Sequence, residues 1–326
     1  MAERKVLVRI DDRVRLMSAV LSATTYPQQE QYRPHQVARF TAKRVADFSH
    51  HPAVTGAQVL LDQNAPLEAL YTYILKLTWP DLAASQVPRW VPPRWNEHLK
   101  NFYEQTKLAE WWQETKTDWD KAQQEAELVL STVDFYTFLK PFVGQVVEQL
   151  VFMPNLLYPV GRTVGVRVGG EIWVICPPRQ AWGDSPPWPF TEDKGYVYAN
   201  AMTEYARLLM LAYLRQHAAD VAPVAQKPLP VSDEFRERYP NWGDQFTELV
   251  VSGLVALFLE ESISKQEAKA YVLLQRKAKG LQIVPGVVSV LRRYLSDFNS
   301  NKYDSFIKYM PNFPAHLRVA KTITTI

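Results

Sequence analysis

The sequence predicts a mostly helical α+β protein with a small sheet set between two helical stretches. Three observations predict it. Apolar residues recur at helical spacing before residue 147 and again after residue 199. Between them, residues 147–176 turn to near-alternating valine, isoleucine and aromatic side chains, the pattern of strands. The chain of 326 residues is 47% hydrophobic and 12% aromatic, which supplies a large core and excludes disorder. No repeat, low-complexity tract or charge block interrupts it. The reading is an N-terminal helical part, 1–147, and a part at 148–326 with the sheet, a central helix and the C-terminal helices, joined as one integrated unit.

In chain order, residues 5–10 predict a short strand. Asp11 or Asp12 then caps a helix, because its carboxylate accepts free first-turn amide protons. Val14, Met17, Val20 and Leu21 share its inward face. Residues 35–49 continue helically with Val37, Phe40, Val45 and Phe48 inward. His50-His51-Pro52 breaks the chain, and the two histidines are expected to favour the preceding helix C-terminus electrostatically. Helices follow at about 53–62 and 66–78. The four prolines between residues 79 and 95 forbid helix there, while Trp79, Trp90 and Trp95 give the loop mass to pack on something or to wall a cleft.

From about 96 to 132 the spacing of Trp112, Trp119, Ala126 and Val133 predicts one long helix or a helix pair, its aromatic stripe facing core. A short helix spans part of 133–147. Three strands follow, with 162–168 and 171–176 joined as a hairpin through Gly169-Gly170. After a Pro/Trp-rich loop, 177–190, residues 199–217 form a buried helix. A linker runs to about Pro230. Ser232 caps a helix to about Arg238, and Asp244 caps another, 245–261. Charged residues 265–279 are helical, Pro285-Gly286 leads into a helix at 287–298, and 303–310 give a last one. The tail from Val319 to Ile326 is expected to be extended or frayed.

Composition narrows the function classes. The 37 basic and 34 acidic side chains nearly balance, so there is no basic field of the kind nucleic-acid binding needs. The apolar run Leu249 to Leu259 is too short to span a bilayer, and the N-terminus has no signal-peptide core. A cytoplasmic protein with neither nucleic-acid nor membrane partner is expected, with no oligomeric state implied. Cys176 is the only cysteine, so no internal disulfide forms. At the end of an apolar strand it reads as a buried structural thiol. Phosphate-loop, dinucleotide and nucleophile-elbow signatures are absent. No two of the six histidines stand three or four residues apart, so no helix presents a histidine pair.

The central helix carries Thr203-Glu204-Tyr205-Ala206-Arg207. In zinc peptidases a His-Glu-x-x-His helix sets two imidazoles one turn apart on one face, and its glutamate acts as base to the metal-bound water. Several stretches of this chain, in order, support that comparison: residues 11–20, His51-Pro52-Ala53-Val54, the strand pair before the central helix, Trp242 to Glu248, Asn301 to Phe306, and Met310-Pro311. Over nearly its whole length the chain resembles a bacterial zincin-like family of unknown function, of the gluzincin, peptidase-related type. The resemblance implies a zincin-like fold with the sheet before the motif helix. It places the family's first histidine on Thr203, its base on Glu204, its second histidine on Arg207 and its third-ligand glutamate on Glu248. A further histidine, present in a longer motif, would fall on Tyr213.

Both imidazoles are thus lost. Zinc is expected in the family and its absence is expected here, because threonine is a poor ligand and arginine stays cationic. Arg207 is expected to take the metal's electrostatic place by pairing with Glu204 or Glu248. The alternative is an ordinary exposed helix pair. Three functions follow. The first is a non-catalytic zinc-peptidase-like protein that binds a peptide or protein in a residual cleft walled by the loops at 79–95 and 177–190. The second is a hydrolase with a rebuilt site using Glu204 and Glu248, with His98 or His217 entering from elsewhere. The third is a helical interaction protein whose site lies on another surface.

Overall fold

The computed structural model describes residues 4–26 and 33–317; the tail from Val319 lies outside them. It is mostly helical with one small mixed sheet, an α+β fold. Among the described residues no helix is long and apolar enough to cross a membrane. The chain divides into two compact units at places other than the 147/148 boundary read from the pattern change. The sheet belongs with the N-terminal helices: one unit takes residues 6–132 and 149–197. The other takes residues 133–148 and those from 198 onward, with the N-terminal few.

The first unit opens with β1 (Leu7–Val8) and α1 (Asp12–Ser22). Asp11 is the cap, its carboxylate accepting the Arg13 amide proton at 3.0 Å. Val14, Met17, Val20 and Leu21 are buried. Next come α2 (Gln36–Val45), continued by a 3-10 turn at Ala46–Phe48, α3 (Pro52–Asp62) and α4 (Leu67–Leu75). His51 belongs to the helix after the break, not the one before: its Nδ1 accepts the Ala53 amide proton at 3.1 Å, making it the α3 N-cap. Phe40 is 45% exposed and meets Trp111 edge-on, so the inward face of α2 is narrower than its spacing suggests.

The stretch from 95 to 130 is three helices, α5 (Trp95–Gln105), α6 (Leu108–Glu114) and α7 (Lys116–Leu130). Lys107 adopts a left-handed φ of 52° between the first two, and Thr115 separates the last two. Trp112, Trp119 and Ala126 are buried as the stripe requires.

The sheet has the order β1-β2-β4-β3, with β2 (Gln149–Pro154), β3 (Val164–Val168) and β4 (Glu171–Cys176). Strand β2 runs parallel to both β1 and β4, and β3 pairs antiparallel with β4 from Val164↔Ile175 to Val168↔Glu171. Gly169 turns this hairpin at φ 59°. Strands β2 and β4 are buried on successive residues, so both faces are covered, in part by α4 against β3 and α7 against β2.

Below the sheet end a buried polar relay is fully satisfied. The Asn155 amide donates to Ser18 Oγ at 3.2 Å, Ser18 and Tyr71 hydroxyls meet at 2.8 Å, and Tyr71 donates to the Tyr158 carbonyl at 3.0 Å. Cys176 is buried, as a structural thiol should be.

The second unit contains α8 (Phe135–Val143), α9 (Lys194–Gln216) from Tyr198 onward, α10 (Ala218–Ala225) and α11 (Asp233–Arg238). It continues with α12 (Trp242–Ser262), α13 (Lys265–Ala278), α14 (Val284–Asn299), α15 (Phe306–Tyr309) and α16 (Phe313–His316). Ser232 caps α11 as its position predicts, its Oγ accepting the Phe235 amide proton. The alanine-rich linker is helical as α10, and α12 begins three residues earlier than Asp244 would set it, with Asn241 as cap.

Helix α12 is buried almost throughout and packs on α13 and α14. Gly253 lets α14 approach: a Cβ there would lie 2.6 Å from Leu291 Cδ1 and 2.7 Å from Val287 Cγ1. Gly253→Ala is therefore expected to destabilise by about 1–2 kcal/mol in urea unfolding, overpacking outweighing the roughly 1 kcal/mol helix-propensity gain.

Candidate functional site

Helix α9 presents Thr203, Glu204, Arg207, Leu208 and Leu211 as one half-buried stripe, while Met202, Tyr205, Ala206, Leu209 and Met210 are buried. The stripe follows from helical geometry, since residues four apart lie one turn apart on one face. The motif positions therefore share a face that is neither core nor fully solvated.

Arg207 folds back on Glu204. Its Nε donates to Glu204 Oε2 at 2.9 Å and its Nη2 to the same oxygen at 2.5 Å. The side chains are 23% and 13% exposed, so this is a partly desolvated pair and not a solvent-screened one. Thr203 donates its hydroxyl to the Ala199 carbonyl of its own helix at 2.6 Å.

Glu248 comes from α12, on the second turn of that helix, with its side chain 14% exposed. Lys279, just past the end of α13, places Nζ 3.9 Å from its Oε2. Two tyrosines lie among the positions. The Tyr239 phenol lies within the fields of Glu248, Arg238 and Arg207. Tyr271, on α13, feels the Glu248 charge, which raises its pKa, and the nearby Ser252 and Thr203 hydroxyls, which oppose that rise. Thus Tyr271 feels both Thr203 and Glu248, and Tyr239 lies within the fields of both Arg207 and Glu248.

Burial pushes the Tyr239 phenol up to about 12, and the Glu248 carboxylate adds to the rise. Burial also raises Tyr271, again with a contribution from Glu248. Both phenols stay protonated at neutral pH. The Glu204 Oε2 is engaged by the Arg207 guanidinium, and the Lys279 ammonium lies beside Glu248. Each of the two carboxylates has a cation, Glu204 with Arg207 and Glu248 with Lys279, and Arg238 adds a third positive charge in the field of Tyr239. The chemistry of the cluster is charge compensation and hydrogen-bond donation.

The four positions read from the sequence thus fall in one neighbourhood, with Glu204, not Glu248, as the carboxylate that Arg207 grips. Tyr239, Tyr271, Ser252 and Lys279 were not anticipated. A signal for Tyr271 existed, because Ala268, Val272 and Gln275 form the buried face of α13 and Tyr271 adjoins it. Tyr239 had none, lying in the short connection after α11.

Tyr213, where a longer motif would have a histidine, is buried, and its hydroxyl accepts the Ile307 amide proton at 3.0 Å. His217 packs on Tyr213 with ring centroids 4.6 Å apart and planes tilted by 54°, and lies 3.7 Å from Asp220. His98 lies on α5 in the other unit. The loops at 79–95 and 177–190 also belong to that other unit, where each lines a cleft of its own: Trp79 one of about 460 Å³, Trp188 and its neighbouring prolines one of about 380 Å³. No group of three or more histidine, cysteine or carboxylate side chains able to hold a metal occurs among the described residues. No family model, no curated protein and no solved structure matches the chain.

Proposed function

We propose that this protein is a non-catalytic relative of zinc peptidases that works by binding a peptide or protein partner. The observation that carries the reading is the Arg207–Glu204 pair, a guanidinium on the base glutamate at the helix position of a metal-binding histidine. A fixed cation there compensates the carboxylate charge that a metal would otherwise balance. It also repels a dication and engages the oxygen that would have to take a proton from water. Tyr239 and Lys279 lie partly exposed beside Glu248. They offer a donor and a cation to the carbonyls or carboxylates of a bound segment.

The test is metal content together with activity. Protein made in zinc-supplemented medium, and purified without chelator or an affinity metal column, is expected to carry far less than stoichiometric zinc. It is also expected to show no chelator-sensitive cleavage of peptides. One tightly held metal per chain, or cleavage abolished by chelator, would overturn the proposal.

A further inference from the structure

The cleft of about 460 Å³ in the first unit lies beside α1 and the aromatic stripe of α6 and α7. At its edge is Arg15, a residue only 7% exposed. Its guanidinium is sandwiched by two indoles, with its central carbon 4.2 Å from the Trp112 ring centroid and 4.6 Å from that of Trp119. Its Nη1 donates to Asp12 at 3.0 Å. Its other edge, Nε and Nη2, is buried and meets no acceptor among the described residues. That edge is the side-on fork whose two parallel N–H groups match a carboxylate.

The same chain shows what this fork takes when an acceptor is present. Arg13 places Nε and Nη2 on Asp11 at 2.9 and 2.6 Å. Arg94 and Arg207 use the same two atoms on Glu97 and Glu204. Two more donors of the cleft lining, Trp112 Nε1 and Trp119 Nε1, are also buried without an acceptor. Four unpaired N–H-bearing atoms in one lining form a surplus of donors. Leaving each one unmet is costly, and an incoming oxyanion would recover that cost.

The remaining charges narrow the ligand. Asp11 is taken by Arg13 and Asp120 by Lys116, so the cleft's other charged pairs are already neutral. Arg15 itself pairs with Asp12 through Nη1, so the lining carries no surplus positive charge, and its unmet donor edge suits a ligand with one negative charge better than a doubly charged phosphate. Trp79, Tyr103 and Trp112 supply an aromatic wall, with neighbouring ring centroids 5.0 to 6.0 Å apart. We propose that this cleft binds a small planar organic monocarboxylate, its oxygens on the Nε/Nη2 edge of Arg15 and its body against the Trp79–Tyr103–Trp112 wall. Because that edge is covered, the ligand reaches it with a rotation of the Trp112 or Trp119 ring. The burial that leaves the fork unpaired also lowers the Arg15 pKa to about 10, so it stays cationic at neutral pH.

Calorimetric titration of the full-length chain tests this with benzoate, its neutral analogue benzamide, and inorganic phosphate. Saturable binding is expected for benzoate alone. Arg15→Lys keeps the charge but loses the fork, and is expected to weaken benzoate binding by about tenfold or more. Trp112→Phe keeps the ring but loses the N–H, and is expected to weaken it severalfold; it also serves if Arg15→Lys does not fold. Absence of saturable benzoate binding would overturn the proposal. So would equal binding of benzamide, preferential binding of phosphate, or unchanged benzoate affinity in a folded variant.

Discussion

Trp95→Ala is expected to lower unfolding free energy by about 4 kcal/mol, the largest loss of any single change considered. Trp95 is fully buried at the start of α5. Its ring stacks on Tyr73 at 5.2 Å with 13° between planes, and its Nε1 donates to the Ala53 carbonyl at 2.9 Å. Gly56 lets the indole seat against α3, since a Cβ there would fall 2.9 Å from Nε1. Truncation would open a cavity between α3, α4 and α5 and remove the indole's hydrogen bond to the Ala53 carbonyl. Trp95→Phe, which fills most of the cavity but cannot donate, is expected to lose about half as much. Urea unfolding of the two variants against the parent chain checks both values.

Arg207→Met is expected to cost about 2–3 kcal/mol, second only to that change. The substitution keeps much of the apolar stem and removes the cation. Glu204, 13% exposed, then loses its guanidinium partner, and removing one member of a partly buried ion pair costs more than the pair was favourable. Arg207→Lys is expected to recover only part of the loss, because an ammonium cannot reproduce the Nε/Nη2 grip. A loss below about 0.5 kcal/mol for Arg207→Met would assign the pair to ordinary surface electrostatics.

How much of this was legible in the sequence depended on how local the cause was. Asp11 and Ser232 were readable as caps because capping needs only one side chain and the next few amides. The hairpin through Gly169 was readable because alternation and a left-handed turn residue are both local. The aromatic stripe from Trp112 to Ala126 was readable as a buried face, but not the break at Thr115. Packing constrains which side chains face inward and leaves chain continuity to backbone details such as the left-handed Lys107 nearby. His51 was assigned to the wrong helix because the sequence places it between two and only geometry shows which amide its ring accepts from.

The candidate site divides the same way. Thr203, Glu204 and Arg207 were singled out by the resemblance, and their spacing along one helix explains why they share a stripe. The contribution of Glu248 came from the resemblance. The tyrosines beside these groups, Tyr239 and Tyr271, come from separate segments brought in by tertiary packing, which no local pattern encodes. Arg15 is a similar case: a cation in an amphipathic helix looks solvated until two tryptophans from other helices close over it.

The central claim is that Arg207 supplies the positive charge that compensates Glu204 on the motif helix. The most direct measurement is a double-mutant cycle in urea unfolding across Arg207→Met, Glu204→Gln and the double variant. If Arg207 compensates Glu204, the double variant will be more stable than Arg207→Met alone, with a coupling of about 1 kcal/mol or more. If the two single losses simply add, Arg207 does not hold the glutamate's charge and the account is contradicted.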